Sequence, residues 1–129
     1  MRVLLDTHTF LWWTSEDGRR LSDRARDLLS DSSTDAMVSV ASAWEIAIKV
    51  STGRLEIEGD PESWVPERIL RYGFSPLPVE LPHALRAGRL PAIHRDPFDR
   101  LLIAQSQVEG IPIVTSDPAI TRYEVDVIW

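Results

Sequence analysis

Short apolar runs alternate with helix-period segments along the whole chain. Arg2 to Leu5 is one such run and stops at Asp6, Ala36 to Val40 is a second, and Ile111 to Thr115 is a third, with Asp117 just beyond it. Continuous apolar stretches of this length read as strands covered on both faces, since a strand wet on one side would alternate apolar and polar residues. The stretch carrying Pro76 and Pro78 reads as an edge strand, because proline donates nothing to a ladder, and Val125 to Trp129 reads as the last strand.

Helical segments fill the intervals. They run over Thr9 to Ser15, from Ser22 through Leu28 and Leu29, from the Ser42/Glu45 pair through Val50 to a stop at Gly53, and from Asp60-Pro61 to Gly73. A short one follows from Pro82 to Ala87, then a longer one from Asp96-Pro97 to Gly110, and Asp117-Pro118 begins a turn or short helix. Asp-Pro is a start signal that couples a capping carboxylate to a proline whose missing N–H is not needed in the first turn. The expected core face of the Asp60 helix is Trp64, Val65, Ile69 and Leu70.

Strands alternating with helices predict an α/β fold, a three-layer α/β/α sandwich around a central, mainly parallel sheet with right-handed crossovers. At 129 residues, 43% of them hydrophobic, the chain is expected to form a single domain over 1–129. There is no cysteine, so disulfides, thiolate metal sites and cysteine nucleophiles are excluded. No apolar run approaches the roughly 18 residues of a membrane span, and Asp6 comes too early for a signal peptide. The expectation is a cytoplasmic protein with no membrane partner.

In such a fold strand C-termini and helix N-termini collect on one edge, where ligands bind. Four acids fall there: Asp6 after the first strand, Glu45 and Asp99 in first helical turns, and Asp117 past the Ile111 strand. Each has a structural reading, since Ser42 and Glu45 fit a capping box, Asp99 suits a helix dipole, and Asp6 and Asp117 suit caps or turns. Their joint placement favours a site. Clustered carboxylates repel, and a bound Mg²⁺ or Mn²⁺ relieves the repulsion. The metal also answers the net charge of −6, which alone would repel a nucleic acid.

These residues carry a resemblance. The segments Leu4-Leu5-Asp6-Thr7-His8, Ser42 to Lys49, His94 to Gln105 and Val114-Thr115-Ser116-Asp117 resemble, in order, the PIN-domain ribonucleases, and most closely the VapC-type toxins of bacterial toxin–antitoxin pairs. The resemblance covers essentially the whole chain. It implies a Mg²⁺- or Mn²⁺-dependent RNA endonuclease, acting as a homodimer and held inactive by a VapB-type antitoxin. It maps catalytic and metal-binding roles onto Asp6, Glu45, Asp99 and Asp117, with Asp6 and Asp99 as chief ligands and Glu45 orienting or deprotonating water. Asp96, an extra acid of the Asp-Pro-Phe-Asp form found in one branch of the family, is a further candidate ligand. Around them Thr7, Thr115 and Ser116 are expected to hold waters, and His94, Arg95 and Arg100 to meet the RNA phosphate.

The rivals are weaker. A receiver domain pairs two acids after its first strand and ends its last strand on lysine, whereas Thr7 and His8 follow Asp6 and the sole lysine, Lys49, lies mid-helix. A haloacid-type phosphatase needs an aspartate where His8 stands, and no phosphate-binding glycine loop is present. The competing readings within the fold are a stand-alone PIN nuclease without antitoxin and a silent, metal-binding interaction domain. His8, His83 and His94 are too scattered for a histidine metal motif. Trp12 and Trp13 point about 100° apart on their helix, which leaves one as the expected contact for a partner.

Overall fold

The computed structural model describes residues 1–129. Five strands, β1 (Arg2–Leu5), β2 (Asp35–Ser39), β3 (Ser75–Leu77), β4 (Ile113–Val114) and β5 (Val127–Ile128), form one sheet in the order β3-β2-β1-β4-β5. Every pairing is parallel, with Leu4 opposite both Met37 and Ile113. Six helices complete the chain: α1 (Thr7–Ser15), α2 (Asp23–Ser30), α3 (Val40–Ser51), α4 (Pro61–Arg71), α5 (Leu81–Arg89) and α6 (Pro97–Glu109), with a 3₁₀ turn over Ile120–Arg122.

Successive strand residues face opposite sides, so one apolar run feeds two cores. Val3, Leu5, Ala36 and Val38 join Phe10, Ala25, Ile46, Trp64 and Val65 from α1 to α4 on one face. Leu4, Met37 and Ile113 join Leu102 and Ile103 of α6 with Ile120 and Tyr123 on the other. That is the expected three-layer sandwich, and it explains why the strand sequences are apolar without alternation. The proline-bearing β3 lies at an edge of the sheet.

Local chemistry sets the helix ends. Ser22 accepts from Ala25 N, Asp60 from Ser63 N, and Asp96 from both Phe98 N and Asp99 N. Gly110 closes α6 at φ 67°, a left-handed conformation that glycine adopts without strain. Gly18 is required twice over: its φ is +72°, and a Cβ there would stand 2.6 Å from the Trp13 ring.

Three expectations change. Strand β2 ends at Ser39, not Val40, and Ser39 caps α3 by accepting from Ala41 N at 3.0 Å. Ser42 therefore lies inside the helix, and the Ser42/Glu45 capping box does not form. Leu70 is 83% exposed and outside the core, because Trp64, Val65 and Ile69 already fill the buried face of α4. Trp12 and Trp13 are both half-buried against the first core, Trp12 beside Trp129 and Trp13 over Gly18. The exposed tryptophan is Trp44, at 61%, set edge-on to Phe98.

Candidate active site

The sheet order changes direction between β1 and β4, and in open α/β sheets ligands bind beyond the strand C-termini at such a point. Asp6 leaves β1 there with its backbone N–H donating to Val114 O at 3.1 Å. Thr115 leaves β4 beside it and donates from Oγ1 to Asp6 Oδ2 at 2.7 Å. The same Thr115 oxygen accepts the Asp117 N–H at 3.0 Å, while Asp117 Oδ1 accepts from Ala119 N. Thr9 adds a bond from its hydroxyl to Val114 O at 2.8 Å, which fastens α1 to the end of β4.

Glu45 reaches the same edge from α3, buried, with both oxygens engaged. Oε1 accepts the Thr7 hydroxyl at 2.7 Å, and Oε2 meets Lys49 Nζ at 2.9 Å. A hydroxyl has one proton and a carboxylate can only accept, so Ser42, 2.8 Å from Thr7 Oγ1, is the donor in that contact. A chain from Ser42 through Thr7 to Glu45 results, with Lys49 balancing the far oxygen. The Glu45–Lys49 pair is four apart with the acid first, a spacing readable in the sequence, although no motif there gives Lys49 a role.

Asp99, in the first turn of α6, receives His94 Nε2 at 2.7 Å on Oδ2. The ligand atoms of His94, Asp99 and Asp117 lie within 4.8 Å of one another. Charge links the rest. Asp99 is pushed up to about 6 by burial first, against the His94 bond, with Asp96, Asp6 and Glu45 adding repulsion. Asp6 is likewise raised, chiefly by burial, with Asp117 and Glu45 contributing and the Thr115 bond and His8 opposing. Burial and neighbouring carboxylates thus disfavour the charged forms of Asp6 and Asp99 at this edge.

The remaining candidates separate. Asp96 spends Oδ1 capping α6. Arg100 does not face the four acids: its guanidinium donates to the carbonyls of Ala87, Leu90, Pro91 and His94 and to Tyr123 Oη, at 2.9 to 3.3 Å. Tyr123 Oη also accepts the His94 N–H at 2.8 Å and donates to Pro91 O at 2.9 Å. This pair staples the loop that carries His94, so Arg100 supports the site and is not a phosphate contact. Arg95 is exposed at the rim, and Ser116 is exposed and bonded to none of the four acids. His83 is buried elsewhere, accepting Glu80 N on Nδ1 and facing Glu109 on Nε2. With both nitrogens used, the nearby Glu80–His83–Glu109 group leaves no imidazole lone pair for a metal.

The chain belongs to the PIN domain family, whose model matches residues 3–126. Ribonuclease VapC22 of Mycobacterium tuberculosis is 30% identical over 119 residues, 89% of this chain and 86% of that protein. Ribonuclease VapC16 of the same organism is 39% identical over 61 residues, which span 47% of this chain and 43% of that relative. The fold matches the Rickettsia felis VapBC2 complex bound to a promoter DNA fragment with TM-score 0.71 at 13% identity, covering 99% of this chain and 98% of the other. It matches FitAcB of Neisseria gonorrhoeae with TM-score 0.65 at 18% identity, covering 98% and 96%. No helix is long and apolar enough to cross a membrane.

Proposed function

We propose that this chain, as one PIN domain over 1–129, is a metal-dependent endoribonuclease that acts as a toxin in the cytoplasm and is restrained by a VapB-type antitoxin. The observation that carries the chemistry is the edge where ligand atoms of His94, Asp99 and Asp117 lie within 4.8 Å of one another, with Asp6 and Asp99 held above the usual carboxylate range by burial and neighbouring carboxylates. Hard oxygen donors under mutual repulsion fit Mg²⁺ or Mn²⁺. Asp6, Asp99 and Asp117 would hold the ion, with His94 orienting Asp99. When bound, the ion supplies positive charge to the scissile phosphate and acidifies water.

The chain's own residues do the rest. Glu45, held by Thr7 on one oxygen, takes a proton from the attacking water through the other as Lys49 releases it. Thr115 fixes the Asp6 carboxylate through Oδ2 and leaves Oδ1 for a ligand. Water adds to phosphorus, one P–O bond breaks, the departing oxygen takes a proton from solvent, and Glu45 returns its own proton to solvent, which closes the cycle. Asp96 serves as a helix cap in this scheme. The antitoxin assignment draws on the toxin–antitoxin complexes that share the fold and on the relatives named VapC; a homodimer is the expected working form.

The experiment is cleavage of a mixed-sequence RNA by purified protein with Mg²⁺, with Mn²⁺ and in EDTA, alone and after co-expression with the neighbouring small reading frame. Cleavage that needs metal and stops in the complex is the expected result. Cleavage that persists in EDTA overturns the metal assignment. Absence of a co-purifying inhibitor leaves a stand-alone nuclease as the better account.

A further inference from the structure

Six of the fourteen basic side chains are ion-paired, among them Arg20 with Glu16, Arg26 with Asp23, Arg71 with Glu67 and Lys49 with Glu45. Of the eight arginines that are not, three gather around one hollow. Arg86, Arg89 and Arg122 form no ion pair and line a cleft of about 560 Å³ between the end of α5, the loop after it and the 3₁₀ turn. Glu124 is the single acid on its wall. A chain of net charge −6 that leaves three arginines together and unpaired keeps an anion-seeking surface at the expense of their mutual repulsion.

The cleft neighbours the active edge along one loop. Its wall includes Leu90, Pro91 and Ile93, and the next hollow along the same loop is lined by Ala92, His94, Arg95 and Arg100. His94 ends that path on Asp99. The Arg100 and Tyr123 staple fixes the loop against α5, so the cleft and the active edge hold a constant separation.

From this we infer that the Arg86, Arg89 and Arg122 cleft is a subsite for the sugar-phosphate backbone of single-stranded RNA, reached from the active edge past Arg95. The inference rests on the endoribonuclease reading above. Arginine forks suit phosphate oxygens, and the apolar Leu90, Pro91 and Ile93 surface suits sugar and base. Duplex RNA is read across broad minor-groove surfaces, whereas a concave cleft of this size accepts one strand.

The test measures binding of a labelled single-stranded RNA to Asp99→Asn protein, which is expected to be unable to cleave it, over a range of salt concentrations. Arg89→Glu with Arg122→Glu is expected to weaken binding at least tenfold and to flatten the log-affinity against log-salt slope by about 0.7 for each RNA phosphate that the cleft no longer neutralises. Arg24→Glu with Arg19→Glu makes the same change in net charge on a remote surface and is expected to shift affinity less than twofold. In protein with Asp99 intact, the cleft pair should raise KM on long RNA with kcat unchanged. Milder Arg89→Gln and Arg122→Gln changes give the same ordering if the glutamates disturb folding. Equal losses from cleft and remote pairs, or normal affinity in the cleft pair, overturn the subsite. If protein with Asp99 intact cleaves no RNA, the endoribonuclease reading itself falls, which is a separate result.

Discussion

Thr115 Oγ1 stands 2.7 Å from Asp6 Oδ2 and at the same time accepts the Asp117 N–H, so one buried hydroxyl joins the ends of β1 and β4. Thr115→Val keeps the shape and removes both bonds. The buried Asp6 carboxylate and the Asp117 amide are each left without a partner, which is expected to cost about 1–3 kcal/mol in urea unfolding. Cleavage should require more metal, because Asp6 loses the bond that favours its charged form. An unchanged unfolding midpoint would contradict this account of the joint.

Asp99→Asn is expected to abolish cleavage while raising stability in EDTA at neutral pH. Asp99 is pushed from 3.8 to about 6, so the folded state binds its proton more tightly than the unfolded state does. Its contribution to stability is full below pH ~4 and is lost as pH rises through 6, with a ceiling of about 3 kcal/mol. The melting temperature of the variant minus that of the wild type should therefore grow from pH 4 to 7. A difference that shrinks over this range would show that Asp99 is not repelled in the folded state. Adding Mg²⁺ should raise the wild-type melting temperature and leave the variant nearly unmoved.

Glu45→Gln separates chemistry from packing. Glutamine still accepts from Thr7, and no capping box exists to be lost, so the melting temperature should stay within a few degrees of wild type. Cleavage should fall about 100-fold or more if Glu45 handles a proton. Near-normal cleavage would remove Glu45 from the mechanism.

Arg100→Lys should destabilise by about 3 kcal/mol despite preserving charge, because an ammonium cannot span four carbonyls and a phenol. Tyr123→Phe should cost about 1–2 kcal/mol and speed hydrogen exchange at the His94 amide, which loses its acceptor. Slow exchange at His94 in both variants would mean the loop is held by something else.

Much of the fold is legible in the sequence because one physical rule, apolar runs for strands covered on both faces, applies residue by residue to Val3, Leu4 and Leu5 and again to Met37 and Val38. The four acids are legible for a related reason, since strand and helix ends fix an edge without knowledge of packing. The misreadings come from long-range partners. The Ser42/Glu45 spacing reads as a cap in the sequence, whereas Ser39 caps α3 and Ser42 bonds to Thr7, thirty-five positions away. Arg100 resembles a phosphate ligand in sequence because its carbonyl partners belong to a loop whose shape no local pattern specifies.

The Asp6–Thr115 contact spans 109 positions of the chain. The two residues cannot meet until β4 inserts beside β1, which places site assembly after β4 has been made. An incomplete product that stops before Ile113 has a sheet without its switch point and lacks Thr115 and Asp117 altogether. For an enzyme proposed to degrade RNA, this topology acts as a safeguard in time: the messenger being translated meets a finished site only after the segments for both β1 and β4 have been read.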